Sequence, residues 1–190
     1  GLHSITISLD GFEQEHNWLR GHPESYGRAV EAIKMLVHEP ELVWDVVTCV
    51  NHRNYPYLDE LKTSLYHIGV RQWRLFTIFP MGRAASHPEF QLSNDEFTGI
   101  MEFIKRIRKE GKMHASYGCE GFLGRYEGEV RDGFFSCNAG ISVGSILAGG
   151  TEPYPPVRAS VATIIRVAFI AMTLWMCGRI VFNLSVTGNG

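Results

Sequence analysis

The chain has 190 residues, 45% of them apolar, 20% charged and 12% aromatic, which supplies one globular core and excludes a disordered tail. Eighteen basic residues against twenty acidic ones leave a net charge of -2, without the basic footprint that a nucleic acid or an anionic membrane surface asks for. Four cysteines at no dense spacing fit a reducing compartment better than a disulfide framework, so the expected location is the cytoplasm.

The opening run GLHSITISLD has no initiator Met and enters a strand by Ser4, from which an internal segment of a longer protein is expected. Ile5, Ile7 and Leu9 alternate as a strand. A loop is predicted from there to the turn residues His22, Pro23, Glu24 and Ser25, after which Ala29, Val30, Ile33, Leu36 and Val37 recur at helical spacing. Residues 43–50 are a β-branched run that predicts a second strand, with Cys49 as a small core residue inside it. Tyr57, Leu58, Leu61, Leu65 and Ile68 form a second amphipathic stripe, stopped by Gly69. Trp73 to Phe79 predicts a third strand. Beyond the loop from Pro80 to Gln91, Ser93 or Asn94 caps a helix whose apolar face is Phe97, Ile100, Met101, Ile104 and Ile107. Met113 to Tyr117 completes the set as a fourth strand.

Strands starting near 4, 43, 72 and 113, with a helix after each of the first three, predict right-handed βαβ crossovers and a parallel sheet. Four such strands do not close a barrel, so the expected class is α/β, the C-terminal part of a partial (β/α) TIM-like barrel over residues 1–117. Sheets of this kind hold ligands at the carboxyl ends of their strands, here Asp10, Asn51 and the Phe79-Pro80 corner. Residues 118–150 read as a small glycine-rich appendage with Cys119 and Cys137 eighteen positions apart. So short a segment buries little apolar area, and a metal or cluster is expected to help fix it. After Gly150 the only charged residues are Glu152, Arg158, Arg166 and Arg179. The apolar run 161–182 has the length of a membrane span. Arg166 and Arg179 leave only twelve uncharged residues between them, however. A central Arg costs roughly 2.5 to 3.5 kcal/mol, so no membrane partner is expected.

Ser8-Leu9-Asp10-Gly11 at a strand end, followed by His16 and Arg20 in ISLDGFEQEHNWLRG, resembles the fourth strand and following loop of radical S-adenosylmethionine (radical SAM) enzymes. Val50-Asn51-His52-Arg53-Asn54 followed by LDEL is similar to their fifth strand and helix, and FPMGRA, Phe79 to Ala84, to the loop after their sixth. The appendage resembles the SPASM domain, which holds auxiliary four-iron four-sulfur (4Fe-4S) clusters beside the barrel in that superfamily. The likeness covers about residues 4 to 150. It implies that Arg20 pairs bidentately with the carboxylate of S-adenosylmethionine and that Ser8 hydrogen-bonds it. The alternatives are a solvated loop cation and a strand-end cap. Asp10 would orient the loop or hold a ribose hydroxyl, and Asn51 would reach the adenosyl group or serve as a turn former. Cys119 and Cys137 resemble the first two thiolate ligands of an auxiliary cluster, against the alternative of free buried cysteines. The resemblance also implies cleavage of the cofactor to a 5′-deoxyadenosyl radical and abstraction of a substrate hydrogen. Substrates in the family are commonly a peptide, a protein or an enzyme being matured, and the electron donor is of the flavodoxin or ferredoxin type.

The Cys-x3-Cys-x2-Cys loop that holds the radical-generating cluster occurs nowhere in the chain, and the family places it upstream of the part matched here. This polypeptide by itself is therefore not expected to turn over. Family members continue past a hairpin like ISVGSILA with further cysteines, whereas residues 151–190 do not. We expect a frameshifted reading there, because sliding the frame one base permits the words LSACPSLRRDYHQG and SIYRDDFMDVW, under which Cys177 is no ligand. Two rival readings remain: a metal-dependent TIM barrel using His16, His22 or His52, and a membrane-tethered interaction module anchored by the tail.

Overall fold

Apolar residues two apart in the strands and three or four apart in the helices bury one face of each element, and the chain folds as those periods require. The computed structural model describes residues 3–80, 82–118 and 122–133. Strands β1 (Ser4–Ser8), β2 (Val43–Val50), β3 (Gln72–Thr77) and β4 (His114–Tyr117) form one sheet in that order, with every neighbouring pair parallel. The strands begin within one residue of where the alternation put them. This is a mixed α/β architecture, consistent with part of a TIM-like barrel.

Between the strands lie α1 (Glu13–Arg20), α2 (Ser25–Leu36), α3 (Leu58–Ile68) and α4 (Asn94–Glu110), with a short α5 (Glu127–Val130) after β4. Sequential parallel pairing by right-handed crossovers sets the crossover helices on one face of the sheet. That face carries Ile7 and Leu9, Val46 and Val50, Trp73 and Leu75, and Ala115 and Tyr117, all within one core with Ile33, Leu61, Leu65, Ile100 and Ile104. Trp73 is fully buried at its centre, edge-on to Phe103 at 5.8 Å, and its indole N–H donates to Thr48 Oγ1 at 2.8 Å.

Residues 13–20 form a helix where the periodicity predicted a loop. Of EQEHNWLR only His16 is buried, so α1 has no apolar stripe to signal it. It is held instead by acidic residues in its first turn and Gly21 in a left-handed cap. Cys49 likewise differs from expectation. Alternation in β2 gives the covered face to Val46, Thr48 and Val50, and Cys49 stands half-buried on the opposite face beside its register partner Phe76. That opposite face is polar: Arg74 pairs with Asp45 through Nε and donates to Thr6 Oγ1 at 3.0 Å, while Thr6 donates to Asp45 at 2.7 Å.

The caps read from the sequence form as expected. Gly69 ends α3 at φ +114°, its N–H on Leu65 O at 3.2 Å. Ser93 caps α4 in a complete capping box: its hydroxyl accepts from Glu96 N–H, and Glu96 accepts from Ser93 N–H at 2.8 Å. Ser93→Ala is expected to destabilise the chain by about 1 kcal/mol, read as a lowered urea midpoint at unchanged slope.

Gly118 continues the ladder past β4 by donating to Leu75 O at 2.7 Å. A Cβ there would overlap the Phe76 ring carbons, so no larger residue fits without displacing the ring. Residues 122–133, which the sequence pattern assigned to the appendage, pack on α4 and β4, with Val130 in the core. The remainder of 118–150, including Cys119 and Cys137, and the whole of 151–190 lie outside the described residues.

Candidate cofactor site at the carboxyl ends of the strands

The site is built around a carboxylate with no contact to solvent. Asp10 follows β1 by two residues and is fully buried. Its Oδ1 accepts the Cys49 N–H at 2.8 Å, and its Oδ2 accepts Arg20 Nε at 2.6 Å and lies in ion-pair contact with Nη2 at 2.6 Å. Burial by itself pushes this carboxyl up. The Arg20 guanidinium in contact, His16 and the Cys49 N–H together more than offset it, and Asp10 sits below the ordinary value of 3.8. His16 Nδ1 lies 3.4 Å from Oδ2 and accepts the Asp10 N–H at 3.0 Å. Its other nitrogen bonds Ser25 Oγ at 3.0 Å. Buried His16 thereby joins the end of β1 to the start of α2.

Two asparagines complete the floor. Asn54, 1% exposed, donates to Asp10 O at 2.7 Å and to Cys49 O at 2.9 Å, and accepts the Asn51 N–H at 2.8 Å. Asn51 is as deeply buried. Its Oδ1 accepts the N–H groups of Arg53 and Asn54, an Asx turn that consumes the side chain locally.

The four sequence-predicted site residues thus separate into two kinds. Asp10 and Asn51 have their polar side-chain atoms engaged within the fold. Ser8 and Arg20 retain open hydrogen-bonding capacity at the carboxyl end of β1: the half-buried Ser8 hydroxyl and the Arg20 Nη1 take no partner among the described residues, and Arg20 is 15% exposed. A stack joins α1 to the loops after β2 and β3. Arg53 lies over the Trp18 ring at 4.1 Å, Trp18 meets Phe90 edge-on at 5.3 Å, and Phe90 stacks on His87 at 5.0 Å. The Phe79-Pro80 corner stands open beside them, with Phe79 62% exposed.

No family model matches the chain. Over 120 residues, 63% of its length, it is 26% identical to the AdoMet-dependent heme synthase of Oleidesulfovibrio alaskensis and 25% identical to that of Nitratidesulfovibrio vulgaris. These matches support the radical SAM superfamily. The chain spans 31% and 32% of the two heme synthases. Both relatives are named for dependence on AdoMet. Among the described residues no group of three or more His, Cys, Asp and Glu side chains gathers that would hold a metal ion. His16 is engaged by Asp10 and Ser25, His22 accepts the Glu24 N–H, and exposed His52 pairs with Glu96 at 2.6 Å. Nor is any described helix long and apolar enough to cross a membrane.

Sequence reasoning passed over Asn54 and weighed His16 only as a metal ligand. The available signal was two asparagines three apart at a strand end, a spacing that closes an Asx turn.

The lowered Asp10 sets the sign of one pH effect. Its folded value is below its unfolded one, so its contribution is complete above the unfolded value, about 3.9, and is lost as pH falls through the folded one. Urea unfolding from pH 7 down to 3 is expected to give wild type a steeper acid loss than Asp10→Asn. Glu96 and Asp132, also held below their ordinary values against burial, by Ser93 and by Arg108 respectively, are common to both proteins and cancel.

Proposed function

We propose that this chain carries the half-barrel part of a radical SAM iron-sulfur oxidoreductase, with a SPASM-type region after it, and that its β1 end holds the amino-acid portion of S-adenosylmethionine. The similarity to two AdoMet-dependent heme synthases carries this reading, and the open donors of Ser8 and Arg20 at the strand end support it. A guanidinium with one edge fixed and one edge open suits a carboxylate, and a neighbouring hydroxyl adds a short-range bond. Asn51 and Asp10 support that end of the sheet from beneath. When bound beside a 4Fe-4S cluster, and given one electron from a donor of the flavodoxin or ferredoxin type, the cofactor supplies hydrogen-atom abstraction. The chain's own part is to bind and orient. Cys119 and Cys137 are proposed as two thiolates of an auxiliary cluster.

A peptide or protein undergoing modification or maturation is one substrate class for the complete enzyme. The relatives' names favour a second, a tetrapyrrole. Calorimetric titration of the full chain with S-adenosylmethionine tests the core of the proposal: Arg20→Ala is expected to weaken binding by about tenfold or more and Ser8→Ala by less. Anaerobic reconstitution with iron and sulfide tests the cluster, by sulfur-to-iron charge-transfer absorbance that is lost in Cys119→Ala and Cys137→Ala. Absence of nucleoside binding by wild type overturns the cofactor reading, and absence of iron uptake overturns the cluster.

A further inference from the structure

Resting on that reading, we propose that Asp10 and His16 are positioning residues for Arg20: the buried carboxylate grips one edge of the guanidinium and His16 fixes the main chain that carries the carboxylate, so that the remaining edge is presented to an anionic ligand group. Three observations carry this. Both Asp10 oxygens are turned inward, Oδ1 accepting the Cys49 N–H and Oδ2 accepting Arg20 Nε with Nη2 in ion-pair contact, so neither is within reach of a ribose hydroxyl. The residue is fully buried. The Arg20 nitrogen left over, Nη1, is the one without a partner among the described residues.

The arrangement works by removing freedom. An arginine side chain loses rotamer entropy when a ligand immobilises it, and a guanidinium already held by a hydrogen bond and an ion-pair contact has lost much of it beforehand. Asp10 itself is fixed from three directions: its N–H by His16 Nδ1, its C=O by Asn54 Nδ2 at 2.7 Å, and its carboxylate by the β2 backbone. His16 is held in turn by Ser25 Oγ on α2 and by edge contact with the Tyr26 ring at 6.3 Å. The chain of fixation runs from α2 through His16 and Asp10 to Arg20, with no exposed link before the guanidinium.

The test compares two ligands on the full chain by calorimetry: S-adenosylmethionine, and 5′-deoxy-5′-methylthioadenosine, which keeps the nucleoside and thioether but lacks the amino-acid carboxylate. Wild type is expected to prefer the first. Asp10→Asn and His16→Ala are expected to weaken S-adenosylmethionine by about tenfold and leave methylthioadenosine unchanged, so that the preference collapses. His16→Asn, whose Oδ1 replaces Nδ1 as acceptor for the Asp10 N–H, is expected to restore it, which a purely space-filling role for His16 does not predict. A second readout needs no variant: the Arg20 Nε–H proton resonance is expected to be protected from solvent exchange in the free wild type. Should Asp10→Asn fail to fold, the two His16 variants and this resonance decide. A folded Asp10→Asn that keeps the full preference, or an Arg20 Nε–H that exchanges like that of a surface arginine, overturns the positioning role alone. A wild type that binds both ligands equally, or neither, overturns the cofactor reading and this inference with it.

Discussion

Replacing Arg131 by methionine is expected to destabilise the chain by about 3–5 kcal/mol, the usual result of stranding one member of a buried ion pair. Glu127 is 3% exposed and Arg131 9%, and Arg131 Nη1 donates to both carboxylate oxygens, at 2.9 and 3.0 Å. Arg131 Nη2 also donates to Gly118 O at 2.9 Å, and Glu127 accepts the Leu123 N–H at 2.9 Å. The pair thus ties residues 122–133 to the end of β4. Methionine leaves the Glu127 charge buried without its cation and the Gly118 carbonyl without this donor. Glu127→Gln keeps the shape and an acceptor for Arg131 but removes its counter-charge, and is expected to cost less, about 2 kcal/mol. Urea unfolding of the two variants measures the difference, and an Arg131→Met midpoint within error of wild type rejects the assignment.

Asp10→Ala is expected to cost a similar amount, about 3–5 kcal/mol, for a different reason. Here the stranded charge is the cation. Arg20 is only 15% exposed and loses its hydrogen bond and ion pair to Oδ2, and the Cys49 N–H, tucked under the sheet end, loses its acceptor. Water can reach Arg20 more readily than Glu127, which sets this loss toward the lower end of the range. Double substitution of Asp10→Ala with Arg20→Met removes the stranded charge and is expected to recover part of the loss, a coupling that a double-mutant cycle reads directly.

What the sequence made legible was whatever depends on neighbours in the chain. The β-branched run of β2, the apolar stripes of α2, α3 and α4, Gly69 as a stop and Ser93 as a cap are local patterns, and each produced its element. Parallel topology came from their alternation. Helix α1 was hidden because eight mostly polar residues with one buried side chain have no stripe to count. The core of the candidate site was hidden for another reason. Its decisive bonds join residues far apart in sequence, as when Asp10 meets Cys49 and Asn54, and nothing in the local text distinguishes an Asp that faces a ligand from one that faces an arginine. The SLDG motif located the place. Roles within it, with Arg20 gripped by Asp10 and Asn51 folded into its own turn, needed the third dimension.

The Thr6, Asp45 and Arg74 group on the face of the sheet away from the helices has a consequence for how the strands find one another. Thr6 sits directly opposite Asp45, and Arg74 reaches Asp45 from its place opposite Val47. Because side chains alternate, sliding β2 by a single position swings Asp45 toward the oily layer beneath the helices and brings a valine or tryptophan out in its place. The three side chains therefore act as a key: misaligned pairings of the first three strands are penalised by a charge in the wrong medium, and the correct alignment is selected before any ligand arrives.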